Sequence, residues 1–120
     1  MQPDSQDAGL LWDMLESARS VQAMISGMRI DEYCADRRTK RAVEREVEII
    51  GEAARKVSDS FQRAHPEIPW RQIISQRHKL AHEYGEIQDE ILWRVATLHV
   101  PDLIRKLAPL VPPPPALEAE

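Results

Sequence analysis

Apolar side chains recur along this chain at steps of three and four rather than two, the spacing that gathers them on one face of an α-helix. Leu11, Met14, Leu15, Ala18, Val21, Ala23, Met24 and Ile25 form one such stripe and predict a first helix over about residues 8–28, with Gly27 near its end. Val43, Val47, Ile50, Ala53, Ala54 and Val57 predict a second over about residues 39–58, with a charged outer face. Gly51 sits in its middle at about 1 kcal/mol below alanine in helix propensity, which suits a close approach by another backbone. Residues 64–70 hold two prolines and read as a connector, after which Pro69 is placed to open a third helix. On it Trp70, Ile73, Ile74, Arg77, Leu80, Ala81 and Tyr84 share one face. Gly85 interrupts that helix. A last one over about residues 88–111 carries Ile91, Leu92, Val95, Leu98, Leu103, Ile104, Leu107 and Leu110 and should kink at Pro101. No segment alternates as a strand does. The pattern predicts an all-α fold, an antiparallel bundle of about four to five helices.

Composition narrows this picture. At 120 residues with 42% apolar content, one domain over residues 1–111 is expected, followed by a tail over 112–120 whose prolines Pro112–Pro115 cannot continue a helix. Against 20 acidic residues there are 16 Lys and Arg, a net charge of −4, so the chain does not coat nucleic acid by bulk charge and any RNA contact must be local. The first residues lack a basic and apolar leader, and no run of about 18 apolar residues occurs, which predicts a cytoplasmic protein with no membrane association. Cys34 is the only cysteine, which excludes an internal disulfide and a thiolate zinc site and leaves it as a half-buried packing residue.

The chemistry concentrates in Arg77-His78-Lys79-Leu80-Ala81-His82-Glu83-Tyr84. Arginine is a permanent cation whose planar fork of donors fits phosphate, and histidine exchanges protons near neutral pH. Cleaving RNA without a metal requires deprotonating a 2′-hydroxyl, protonating the leaving 5′-oxygen and stabilising charge on phosphorus, and these side chains supply all three functions. His82 is the candidate general acid or base, Arg77 the phosphate holder, and His78 and Lys79 the supporting RNA contacts. On a straight helix Arg77 and His82 point about 140° apart. A distorted helix, a long arginine reach or a second copy across a two-fold axis would each bring them together; we favour the dimer, because Arg77 also occupies a stripe position that a core residue would otherwise take.

Plainer readings stand beside these. Arg77 fits an ion pair with a buried glutamate such as Glu52, His82 and Tyr84 fit packing roles, and Lys79 with Glu83 fits a solvated pair. His78 and His82 are spaced for a metal, but Lys79 stands where the zinc-protease motif has glutamate, so neither metal nor other cofactor is expected. His65 and His99 look structural. Arg37, Arg38, Lys40, Arg41 and Arg45 could widen an RNA path, although Arg41 and Arg45 read more readily as a solvated face pairing with Glu44, Glu46 and Glu48.

Arg77, His82 and Tyr84 together resemble the RxxxxHxY signature of HepT-like toxins of the HEPN superfamily. Ile49-Ile50-Gly51-Glu52-Ala53-Ala54 and His65-Pro66-Glu67-Ile68-Pro69-Trp70 resemble two further blocks of that family, in the same order and at similar spacing, and the resemblance runs over about residues 10–110. It implies a helical bundle that dimerises with both signatures lining a shared cleft, a metal-independent endoribonuclease, and the toxin half of a toxin–antitoxin pair. The implied partner is a minimal nucleotidyltransferase antitoxin, in a homodimer or larger hetero-oligomer, which transfers AMP to the tyrosine at position 84. His78 departs from the family's usual asparagine, and Ser75-Gln76 from its usual glycine and apolar residue. A non-catalytic HEPN module that binds nucleotide or RNA, or docks the nucleotidyltransferase, is the alternative.

Overall fold

Asp4 opens the first helix by accepting the Asp7 N–H at 2.7 Å, which satisfies one of the donors every helix leaves free at its start. The structure, a computed structural model, describes residues 3–81 and 86–113, the side chains of 77–81 and 86–87 excepted. Its elements are α1 (Ser5–Ile25), α2 (Ile30–Ala35), α3 (Arg37–Lys56), α4 (Asp59–Ala64), α5 (Trp70–Ala81), α6 (Glu86–Arg94), a π-turn (Val95–His99) and α7 (Val100–Leu107). Among the described residues there is no strand. The all-α expectation holds, with more pieces than the four to five helices predicted.

α1 buries Leu11, Met14, Leu15, Ala18, Val21 and Ile25 along one stripe. Fully burying a side chain such as Leu11 or Met14 contributes roughly 1.5–3 kcal/mol. Ala23 and Met24, expected on that stripe, are exposed, because the buried step passes directly from Val21 to Ile25. The helix stops where Gly27 adopts φ +78°, a left-handed turn for which a residue without Cβ is favoured.

The short α2 follows, with the Glu32 carboxylate accepting the Arg29 N–H at 2.8 Å and Tyr33 fully buried against the ring of Trp93, centroids 5.2 Å apart. Asp36 then caps α3 by accepting from the backbone N–H and the hydroxyl of Thr39, at 3.0 and 2.9 Å. These bonds hold its carboxyl below the usual range. Val43, Val47, Ile50 and Ala54 repeat at steps of four, three and four down the buried face of α3, and Gly51 is buried beside them.

Ser58 joins three elements. Its hydroxyl accepts the Phe61 N–H at the start of α4, and its own N–H and hydroxyl donate to Asp7 at 2.9 and 2.5 Å, which fastens the first turn of α1 to the α3–α4 corner. Gln62 closes the end of α3 by donating to the carbonyls of Ala54 and Val57. In the connector the Trp70 indole N–H donates to the His65 carbonyl at 2.9 Å, and Pro69 directly precedes α5, as expected.

The expected kink at Pro101 takes the form of the π-turn. Proline has no N–H to return to the preceding turn, and the chain widens ahead of it, with the Val100 N–H reaching back to Val95. The extra residue shifts the stripe. Leu92, Ala96, Val100, Leu103 and Leu107 are buried, whereas Leu98, expected in the core, is 62% exposed. α1 packs on α3 and α7, α5 packs on α3, and α2 bridges α3 and α6. The molecule is 19 Å thick along its shortest axis, two layers of helices. None of the described helices is long and apolar enough to cross a membrane. Of the expected tail, residues 114–120 lie outside the described residues.

Candidate active site

α5 carries the backbone of Arg77, His78 and Lys79 through its last turns as regular helix. Trp70 is buried and Ile73 and Ile74 are half-buried, which places the first part of the predicted stripe on the inner side of α5. The side chains of Arg77, His78 and Lys79 are not among those described, and His82 and Tyr84 lie outside the described residues altogether. Glu52, the alternative partner considered for Arg77, is met by Arg55 at 2.6 Å and by Lys56 at 3.7 Å.

Described elements precede and follow the signature in the chain. Toward the start of α5, one turn before Arg77, a cavity of about 210 Å³ opens between α3, α5 and the π-turn. Ile50, Ile73, Val95 and Leu103 wall it, and Gln76 and His99 supply polar groups. The Gln76 Nε2 is buried with no hydrogen-bond partner, which leaves a donor unsatisfied at roughly 1–3 kcal/mol. His99, expected to be structural, is exposed on the π-turn and lines the cavity. His65 is structural as expected. Its Nδ1 lies 3.0 Å from Glu67 and its ring stacks on Phe61. The Glu67 carboxyl is held low by its own backbone N–H and by His65.

Beyond the signature, α6 begins at Glu86, and within its first turn Asp89 meets Lys40 of α3 at 3.1 Å. The two side chains are 25% and 17% exposed, so the pair is drier than a surface ion pair and ties α3 to the element that follows the signature. Behind it the Tyr33 hydroxyl is buried with no partner, and burial first, then the negative charge of Asp89, drives its pKa far above the ordinary phenol range. Cys34 is half-buried, as expected. Sequence reasoning missed the Lys40–Asp89 and Asp7–Ser58 links, which join residues 49 and 51 positions apart that no local spacing relates. Among the described residues, no three His, Cys, Asp or Glu side chains are placed to hold a metal ion.

The family model described as ribonuclease HepT-like matches residues 14–110, which takes in α5, the signature and every later helix. The chain belongs to the HepT-like ribonuclease family. It is similar to a Methanocaldococcus jannaschii protein provisionally named an RNase, 31% identical over 91% of this chain and 90% of that one. A Thermococcus cleftensis protein provisionally named ribonuclease HepT is 34% identical over 83% of this chain and 91% of its own length. A second M. jannaschii protein, also provisionally named an RNase, is 32% identical over 81% and 89% of the two chains. No solved structure matches. In this HepT-like chain the matched region spans both links that frame the signature's exit, Tyr33–Trp93 and Lys40–Asp89.

Proposed function

We propose that this HepT-like chain is a metal-independent endoribonuclease, the cytoplasmic toxin of a toxin–antitoxin pair, working as a homodimer. The observation that carries the reading is the family match across residues 14–110, a stretch whose sequence holds Arg77, His82 and Tyr84 at the spacing of the signature. In the reaction His82 takes the proton of an RNA 2′-hydroxyl, whose oxygen bonds to phosphorus. The phosphorus–5′-oxygen bond breaks and the leaving oxygen receives a proton from histidine, giving a 2′,3′-cyclic phosphate and a 5′-hydroxyl. Arg77 holds the phosphate through charge-assisted hydrogen bonds, and His78 and Lys79 support the strand. A nucleotidyltransferase antitoxin would silence this site by moving AMP onto the Tyr84 hydroxyl, whose added charge and bulk compete with substrate phosphate beside Arg77 and His82.

Purified protein should cleave RNA in EDTA and leave cyclic phosphate ends, with His82→Ala and Arg77→Ala each reducing the rate at least about 100-fold. Intact mass distinguishes the outcomes. A wild-type protein of unmodified mass that cleaves nothing would leave a non-catalytic docking module, whereas an added AMP identifies a silenced enzyme.

A further inference from the structure

The first turns of α3 concentrate positive charge that the fold leaves unused. Lys40 is taken by Asp89 and Arg45 by Glu48, whereas Arg37 and Arg41 are exposed and form no ion pair among the described residues, and Arg38 is exposed beside Asp36, whose carboxylate is occupied in capping Thr39. The first turn of α3 holds no acidic residue. Cations there oppose the helix dipole, whose positive end is the N-terminus, so this arrangement works against the stability of α3.

The place of this ridge gives it a use. Lys40 lies between Arg38 and Arg41 and contacts Asp89, three residues into α6 and five beyond Tyr84. That contact sets the start of α3, from which the three exposed arginines project, beside the first turn of α6, the described element that follows the signature in the chain. Their chemistry selects phosphate. Guanidinium forks bind phosphate oxygens without reading bases, and α3 exposes no large apolar side chain that would form the centre of a protein interface.

The geometry points to Arg37, Arg38 and Arg41 as a phosphate track that holds the backbone of single-stranded RNA flanking the cleaved bond. This rests on the ribonuclease reading and deepens it: the signature cuts, and α3 sets the preference for longer substrates.

The test uses the full chain. Binding of a 20-nucleotide single-stranded RNA is measured by anisotropy in a His82→Ala background between 50 and 200 mM salt, with and without Arg37→Ala, Arg38→Ala and Arg41→Ala together. Cleavage of a trinucleotide and of the 20-mer is measured in the otherwise wild-type chain. Three lost contacts should flatten the slope of log K against log salt by about 2, so that the parent loses roughly 20-fold more affinity over that range than the triple variant. The triple variant should cut the trinucleotide at the wild-type rate and the 20-mer with a raised KM. An unchanged slope and KM overturns the track, as does a loss confined to complex formation with the nucleotidyltransferase, which would make the ridge a protein interface. If the His82→Ala parent binds RNA with the steep slope and the triple variant does not, while the otherwise wild-type chain cuts neither substrate, the ribonuclease reading falls and the track stands.

Discussion

A buried hydroxyl without a partner marks where one residue is kept against its own stability. The Tyr33 hydroxyl has exchanged water for nothing, a loss of roughly 1–3 kcal/mol, while its ring packs on Trp93. Tyr33→Phe should therefore raise stability by about 1 kcal/mol in urea denaturation, whereas a net loss would reveal a partner for the phenol. The pH dependence has a definite sign. The folded state holds the phenolic proton well above the value near 10 at which the unfolded chain releases it, so stability is full below about pH 10 and falls as pH rises beyond it. The phenylalanine variant should lose that part of the alkaline slope. None of this was legible in the sequence, where Tyr33 lies in a six-residue helix too short to display a period. Arg77 was singled out by spacing alone, as a charge on the stripe predicted for its helix.

At the scale of elements, the long helices were readable because each presents a stripe several turns long, as Val43, Val47, Ile50 and Ala54 do on α3. α2 and α4 were not, since six residues span fewer than two turns and their limits are set by caps, Arg29 with Glu32 and Ser58 with Phe61. The last helix was located correctly and its Leu103 and Leu107 are buried as expected, but Leu98 was misplaced, because Pro101 announces an interruption without specifying the extra residue of the π-turn that turns Leu98 outward. The corner held by Asp7 makes a prediction of its own. Asp7→Ala removes the acceptor for the Ser58 N–H and hydroxyl at once and should destabilise the fold by about 2–3 kcal/mol in chemical denaturation. It should also raise hydrogen exchange first at the start of α4, and a uniform rise across the molecule would show that the corner is no separate unit.

For the whole molecule, the helices form a body 19 Å thick along its shortest axis, and the proposed dimer makes a prediction at this scale. If each cleft takes Arg77 from one protomer and His82 from its partner, mixing inactive Arg77→Ala with inactive His82→Ala should restore about a quarter of wild-type cleavage, since half of the reassorted dimers then hold one intact site of two. Recovery of no activity after verified exchange of protomers would place both residues of a site on one chain. The order in which the helices touch also bears on how such an enzyme is made. α1 emerges first from the ribosome, but it packs against α3 and α7, and α7 is completed only at Leu107. Arg77 is translated 30 residues before that point. A chain stalled in between carries Arg77 on a core that still lacks α7, so the wall that covers α1 closes only after Leu107 has been translated.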